Sequence, residues 1–168
     1  MASAGAAGSA VRTGVEPVSP PPGAKSRRGR RKAPKDGSRV LVVHRDVGIL
    51  RMVRESLQDF TRSEVDTTPD AVYGFEMALQ REYDLFVFGL ALPAFGGDVL
   101  YELIAKAYAH AHAGARAAPA VVFVLSETAA GSPEELRRDA RVKGFLPEPF
   151  EIERLLEQVD GSLQRTSG

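Results

Sequence analysis

From Arg39 onward, apolar residues recur in two alternating rhythms. Val40-Leu41-Val42-Val43 is an unbroken apolar run, the pattern of a short parallel strand buried on both faces. Asp46 stands where a helix cap is wanted, and Leu50, Val53, Leu57 and Phe60 follow at helical spacing. Glu64-Val65-Asp66-Thr67-Thr68 is a weaker strand, expected at a sheet edge. Pro69 and Asp70 open a second helix with Ala71, Phe75, Ala78 and Leu79 turned inward. Leu85 to Phe88 is a third strand, and Asp98 to about His112 a third helix with Leu100, Leu103, Ile104 and Ala107 on one face. Val121-Val122-Phe123-Val124-Leu125 is a fourth strand. Ser132-Pro133-Glu134-Glu135 is a capping box with proline at the first helical position, so a short polar helix is expected. Val142 to Leu146 is a fifth strand, and Ile152, Leu155, Leu156 and Val159 mark a last helix.

Five strand–helix units joined by right-handed crossovers predict an α/β fold: an open parallel sheet with helices on both faces. Chemistry in such sheets gathers at the carboxyl ends of the strands, beside the topological switch point. The residues just after each strand are therefore the candidates.

The chain has 168 residues, enough for one domain and a tail, and 43% of them are hydrophobic, so a real core is available. There is no cysteine, which excludes disulfides and thiolate metal sites and suits a cytoplasmic setting. No apolar run approaches the roughly 18–20 residues of a membrane helix. Met1 to Pro22 lacks the pattern of a secretory signal. Net charge is zero but unevenly spread: residues 1–38 carry eight basic and two acidic side chains, the remainder fourteen and twenty. Residues 1–38 show no apolar periodicity and are expected to be a disordered basic tail rich in Ala, Gly, Pro and Ser. Within it, residues 25–35 could bind nucleic acid or an anionic surface weakly through counterion release, or could simply solubilise an acidic domain. Residues 39–163 form the expected domain and 164–168 a frayed end, with no output domain expected after it.

Tyr83-Asp84-Leu85-Phe86-Val87-Phe88-Gly89-Leu90-Ala91-Leu92-Pro93 resembles the phosphoacceptor strand of bacterial response-regulator receiver domains, the CheY-like superfamily. The resemblance runs roughly from Arg39 to Leu163. Val40-Leu41-Val42-Val43-His44-Arg45-Asp46 looks like the family's first strand and acidic pair, and Leu92-Pro93-Ala94-Phe95-Gly96-Gly97 its acceptor loop. Val124-Leu125-Ser126 is similar to the hydroxyl-bearing end of the fourth strand, and Gly144-Phe145-Leu146-Pro147-Glu148-Pro149-Phe150 to the family's aromatic-x-x-Lys-Pro-Phe. The resemblance implies the flavodoxin-like strand order 2-1-3-4-5 and a role in two-component phosphorelay signalling.

At the positions that carry the family's chemistry, this chain departs. Gly89 stands at the phosphoacceptor aspartate, His44 and Arg45 at the magnesium-binding acidic pair, and Glu148 at the lysine; Ser126 keeps its type. Magnesium demands hard oxygen ligands in near-octahedral geometry, and phosphoryl transfer needs an in-line nucleophile. A degenerate pseudo-receiver is expected, without catalytic residues, metal or cofactor, and not an enzyme. Asp46 is read as a helix cap rather than a displaced acceptor. Arg45 or His44 is expected to pair with Glu148 in inverted polarity; alternatively these positions are unconstrained. Phe145 occupies the family's switch aromatic but is read first as a packing residue. Pro149 is expected to follow a cis bond, as the family's proline does.

The expected partner is a protein, met by the face of the fourth helix, fifth strand and fifth helix, where Glu134, Glu135, Arg137, Arg138, Lys143 and Glu153 mix both charges. Two other classes stay open: a nucleic-acid-associated regulator using the basic tail, with the domain as a docking or dimerisation platform, and a flavodoxin-like small-molecule binder with a pocket at the strand ends. His110 and His112 are two apart, share no helix face, and are expected in solvent. The alanine-rich stretch 105–119 is expected to lengthen the third helix and its following loop, the helix by about two turns of 3.6 residues each.

Overall fold

The computed structural model describes residues 37–127 and 133–167. The basic run 25–35 and Ser132 of the proline-led box lie outside the described residues. Five strands, β1 (Arg39–Val43), β2 (Glu64–Thr68), β3 (Leu85–Gly89), β4 (Ala120–Leu125) and β5 (Val142–Pro147), form one parallel sheet in the order 2-1-3-4-5. This is the flavodoxin-like doubly wound arrangement. Five helices connect and flank them: α1 (Val47–Thr61), α2 (Ala71–Gln80), α3 (Gly97–Ala111), α4 (Pro133–Leu136) and α5 (Ile152–Ser167).

The unbroken apolar strands are explained by two cores, one on each face. Val40 and Val42 of β1, Leu85 and Val87 of β3, and Val122 and Val124 of β4 pack under α1 and α5, against Leu50, Val53, Leu57, Leu155 and Val159. Their neighbours Leu41, Val43, Phe86, Phe88, Val121 and Phe123 pack under α2 and α3. Period-two alternation therefore never reaches water in the central strands, and each residue serves one core or the other. Phe86 anchors the second core, with Phe88, Tyr83, Tyr101 and Tyr108 at ring-centroid distances of 5.0 to 6.3 Å. β2 pairs with β1 alone and is an edge strand, as its polar sequence predicts.

Several local expectations are corrected. Phe60 is 67% exposed, because the inward stripe of α1 is complete at Leu57 and the helix ends at Thr61, capped by Arg62 in the left-handed conformation. Leu103 is also exposed; Tyr101 and Tyr108 are buried on α3 in its place. Tyrosine can be buried there because each hydroxyl is satisfied: that of Tyr101 donates to the Pro119 carbonyl, and that of Tyr108 accepts from the Tyr83 N–H. Residues 105–111 of the alanine-rich stretch form roughly the last two turns of α3, as expected. The helix stops at Ala111, and Gly114 at φ +93° turns the chain into a loop. His112 is not solvated: it is buried, its Nε2–H donates to the Ala78 carbonyl at 2.7 Å, and its ring centroid lies 4.3 Å from that of Tyr108. The last helix starts at Ile152, as its pattern predicts. It continues to Ser167, past buried Leu163, with the Ser162 hydroxyl bonded to the Gln158 carbonyl.

Candidate functional site at the carboxyl ends of the strands

His44 follows β1 and Gly89 ends β3, side by side at the switch point, where the register pairs Val43 with Phe88. The imidazole of His44 is 4% exposed and stands over Gly89. A Cβ on Gly89 would lie 2.9 Å from His44 Cδ2 and 3.5 Å from its Nε2. The ring thus occupies space that a side chain at 89 would need.

Both ring nitrogens are engaged. The Asp46 backbone N–H donates to Nδ1 at 2.9 Å, and Nε2 lies 2.8 Å from Oε2 of Glu148. Since an amide N–H can only donate, Nδ1 carries the lone pair and Nε2 the hydrogen that is given to the carboxylate. The expected pairing with Glu148 thus falls to His44. Arg45 is exposed instead. The Glu148–Pro149 peptide is cis, and the Glu148 N–H donates to the Leu125 carbonyl at 2.7 Å.

Asp46 is the N-cap of α1. Its Oδ1 accepts from Gly48 and Ile49 N–H at 2.8 and 3.3 Å. Across the switch point, the N-terminus of α3 sits so close to β3 that a Cβ on Gly97 would overlap the Gly89 carbonyl oxygen. Glycine is required there for close backbone approach.

A magnesium ion of the kind bound by receiver domains does not fit this donor set. Position 89 has no side chain, both His44 nitrogens are already bonded, and the Asp46 carboxylate is used on the helix amides. Among the described residues no group of three or more His, Asp or Glu gathers into a metal cage.

Beside the His44–Glu148 pair opens a cleft of about 490 Å³. Ile49 and Met52 of α1 supply one wall, and Pro149 and Phe150 after β5 the other. Arg45, Ser126, Glu127 and Glu148 supply the polar groups. The structure therefore brings His44, Arg45, Gly89, Ser126, Glu148 and Pro149 to one end of the sheet. Phe145 lies apart from them. It packs into the second core, 6.0 Å from Phe123, with the Arg137 guanidinium 4.7 Å above its ring. Sequence reasoning missed Ile49, Met52, Glu127 and Phe150 as cleft residues. The i, i+3 spacing of Ile49 and Met52 beside the inward stripe is the one signal that could have found them.

The face of α4, β5 and α5 carries exposed Glu134, Glu135, Arg137, Arg138 and Glu153, with Ile152 37% exposed among them. Arg141 grips Asp139 through both carboxylate oxygens, which holds the Asp139 carboxyl below its ordinary range, and rests over the Tyr101 ring.

No protein-family model and no curated protein matches the chain in sequence. Solved structures do match in fold. A CheY-like response regulator receiver domain protein from Methanospirillum hungatei JF-1 aligns at TM-score 0.62 and 22% identity, covering 78% of this chain and 97% of that one. A response regulator receiver domain protein from Clostridium thermocellum aligns at TM-score 0.62 and 17% identity, covering 76% and 95%. The receiver domain of Francisella response regulator 1452 aligns at TM-score 0.62 and 17% identity, covering 77% and 99%. The chain has the receiver fold.

Proposed function

We propose that this domain is a pseudo-receiver of two-component phosphorelay signalling, acting through protein contacts without being phosphorylated. The observation that carries this reading is the His44 ring standing over Gly89 and hydrogen-bonded to Glu148. Where a receiver would present a carboxylate, a metal and a lysine, this chain holds a neutral ring against a glycine. The acceptor position has no carboxylate and is filled by the His44 ring, and Glu148, at the lysine position, is hydrogen-bonded to that ring. On this reading the protein is a non-enzymatic signalling domain of the cytoplasm. Among the described residues no helix is long and apolar enough to cross a membrane.

The mixed-charge face of α4, β5 and α5, with Ile152 exposed on α5, supports a specific protein partner. The test is incubation with acetyl phosphate and magnesium, read by intact mass. No added phosphoryl group is expected; stoichiometric labelling would overturn the reading.

A further inference from the structure

We propose that the cleft between α1 and the segment after β5 is a binding site for a small organic cation with an apolar body. Its volume of about 490 Å³ falls within the roughly 300–1,000 Å³ of small-molecule sites. It joins an apolar wall to a few convergent polar groups, the composition such sites share.

The walls decide the body of the ligand. Ile49 and Met52 pack against the first core from the helix side, and Phe150 does so from the loop, so all three present fixed apolar surface. Two carboxylates, Glu127 and Glu148, and one guanidinium, Arg45, line it, so the lining is acidic on balance. Glu148 is already held through Oε2 by His44, and its side chain is 22% exposed. A carboxylate clamped on one oxygen presents the other in a fixed direction, so little ordering remains to be done when a donor arrives. The ligand class is therefore an aryl or alkyl group ending in an amidinium, guanidinium or ammonium. Its apolar part lies on Ile49, Met52 and Phe150, and its cation lies between Glu127 and Glu148.

The inference does not rest on the pseudo-receiver reading, because the cleft lies beside the filled acceptor position rather than in it. The test titrates full-length ¹⁵N-labelled protein with benzamidinium, and in parallel with benzoate and with guanidinium. Saturable shifts at the amides of Arg45, Ile49, Met52 and Glu127 are expected for benzamidinium alone, with a dissociation constant on the order of 1 mM for so small a probe. Exposed Glu127→Gln should weaken it by about threefold or more while leaving the rest of the spectrum in place. Absence of saturation, saturation centred elsewhere, equal binding of benzoate, or an unchanged constant in Glu127→Gln would overturn the proposal. Failure here would leave the acetyl phosphate result untouched, so the two readings fall separately.

Discussion

Nε2 of His44 and Oε2 of Glu148 meet at 2.8 Å across 104 residues of chain, tying the end of β1 to the turn after the edge strand β5. With His44 buried, this bond is drawn out of water, and a carboxylate acceptor makes it a strong one. A double-mutant cycle of His44→Ala and Glu148→Ala, followed by urea unfolding, should return a coupling of about 1–2 kcal/mol. Strict additivity would mean that the pair is not formed in solution.

Gly89→Asp should destabilise the domain by about 1–3 kcal/mol, because its side chain must displace the His44 ring. Adding His44→Ala to it should recover part of that loss, seen as a rise in urea midpoint over Gly89→Asp. A Gly89→Asp variant as stable as the parent would show that the ring yields freely. Neither variant should gain a phosphoryl group from acetyl phosphate.

Gly97→Ala should cost more than its single methyl suggests. The new atom would meet the Gly89 carbonyl, which is backbone held in the sheet and cannot rotate away. A loss of about 1–3 kcal/mol is expected from overpacking, against roughly zero or a slight gain for an unhindered helical Gly→Ala. Thermal unfolding of the variant distinguishes the two.

Alkaline pH should unfold the domain earlier than its charge balance suggests. Burial raises the Tyr83, Tyr101 and Tyr108 hydroxyls, Tyr108 to about 12 from an ordinary value of 10.0. Burial is the largest cause for all three, and for Tyr83 the bond to Asp66 adds to it. Each neutral buried tyrosine keeps its proton in the folded chain at a pH where the unfolded chain has lost it. Stability is therefore full below about pH 10 and falls as pH rises toward 12 and beyond, by about 1.4 kcal/mol per pH unit per tyrosine. Urea midpoints measured from pH 9 to 12 check this; a flat profile would contradict it.

Much of the fold was legible because the central strands are apolar at every position, which marks a sheet covered on both faces. The strand-end positions were legible, since His44, Gly89, Ser126 and Glu148 each directly follow or end a strand, whereas Ile49, Met52, Glu127 and Phe150 of the cleft were not. Nor was the geometry of the site. Sequence left both Arg45 and His44 as candidates for Glu148, and the Asp46 N–H that holds the His44 ring from its other nitrogen is a backbone donor with no sequence signature. Tyr101 and Tyr108 were passed over for Leu103 because hydropathy counts a hydroxyl against burial and cannot see the waiting partner. His112 was misjudged for the same reason: its acceptor is the carbonyl of Ala78, thirty-four residues away.

The His112 bond has a mechanical consequence. It pins the far end of α3 to the last turn of α2, while the Tyr108 hydroxyl fastens the same end to the approach to β3. The other end of α3, at Gly97, rests against β3 by backbone contact. α3 is therefore clamped at both ends, by the Tyr108 and His112 side chains at one and by backbone contact at Gly97 at the other.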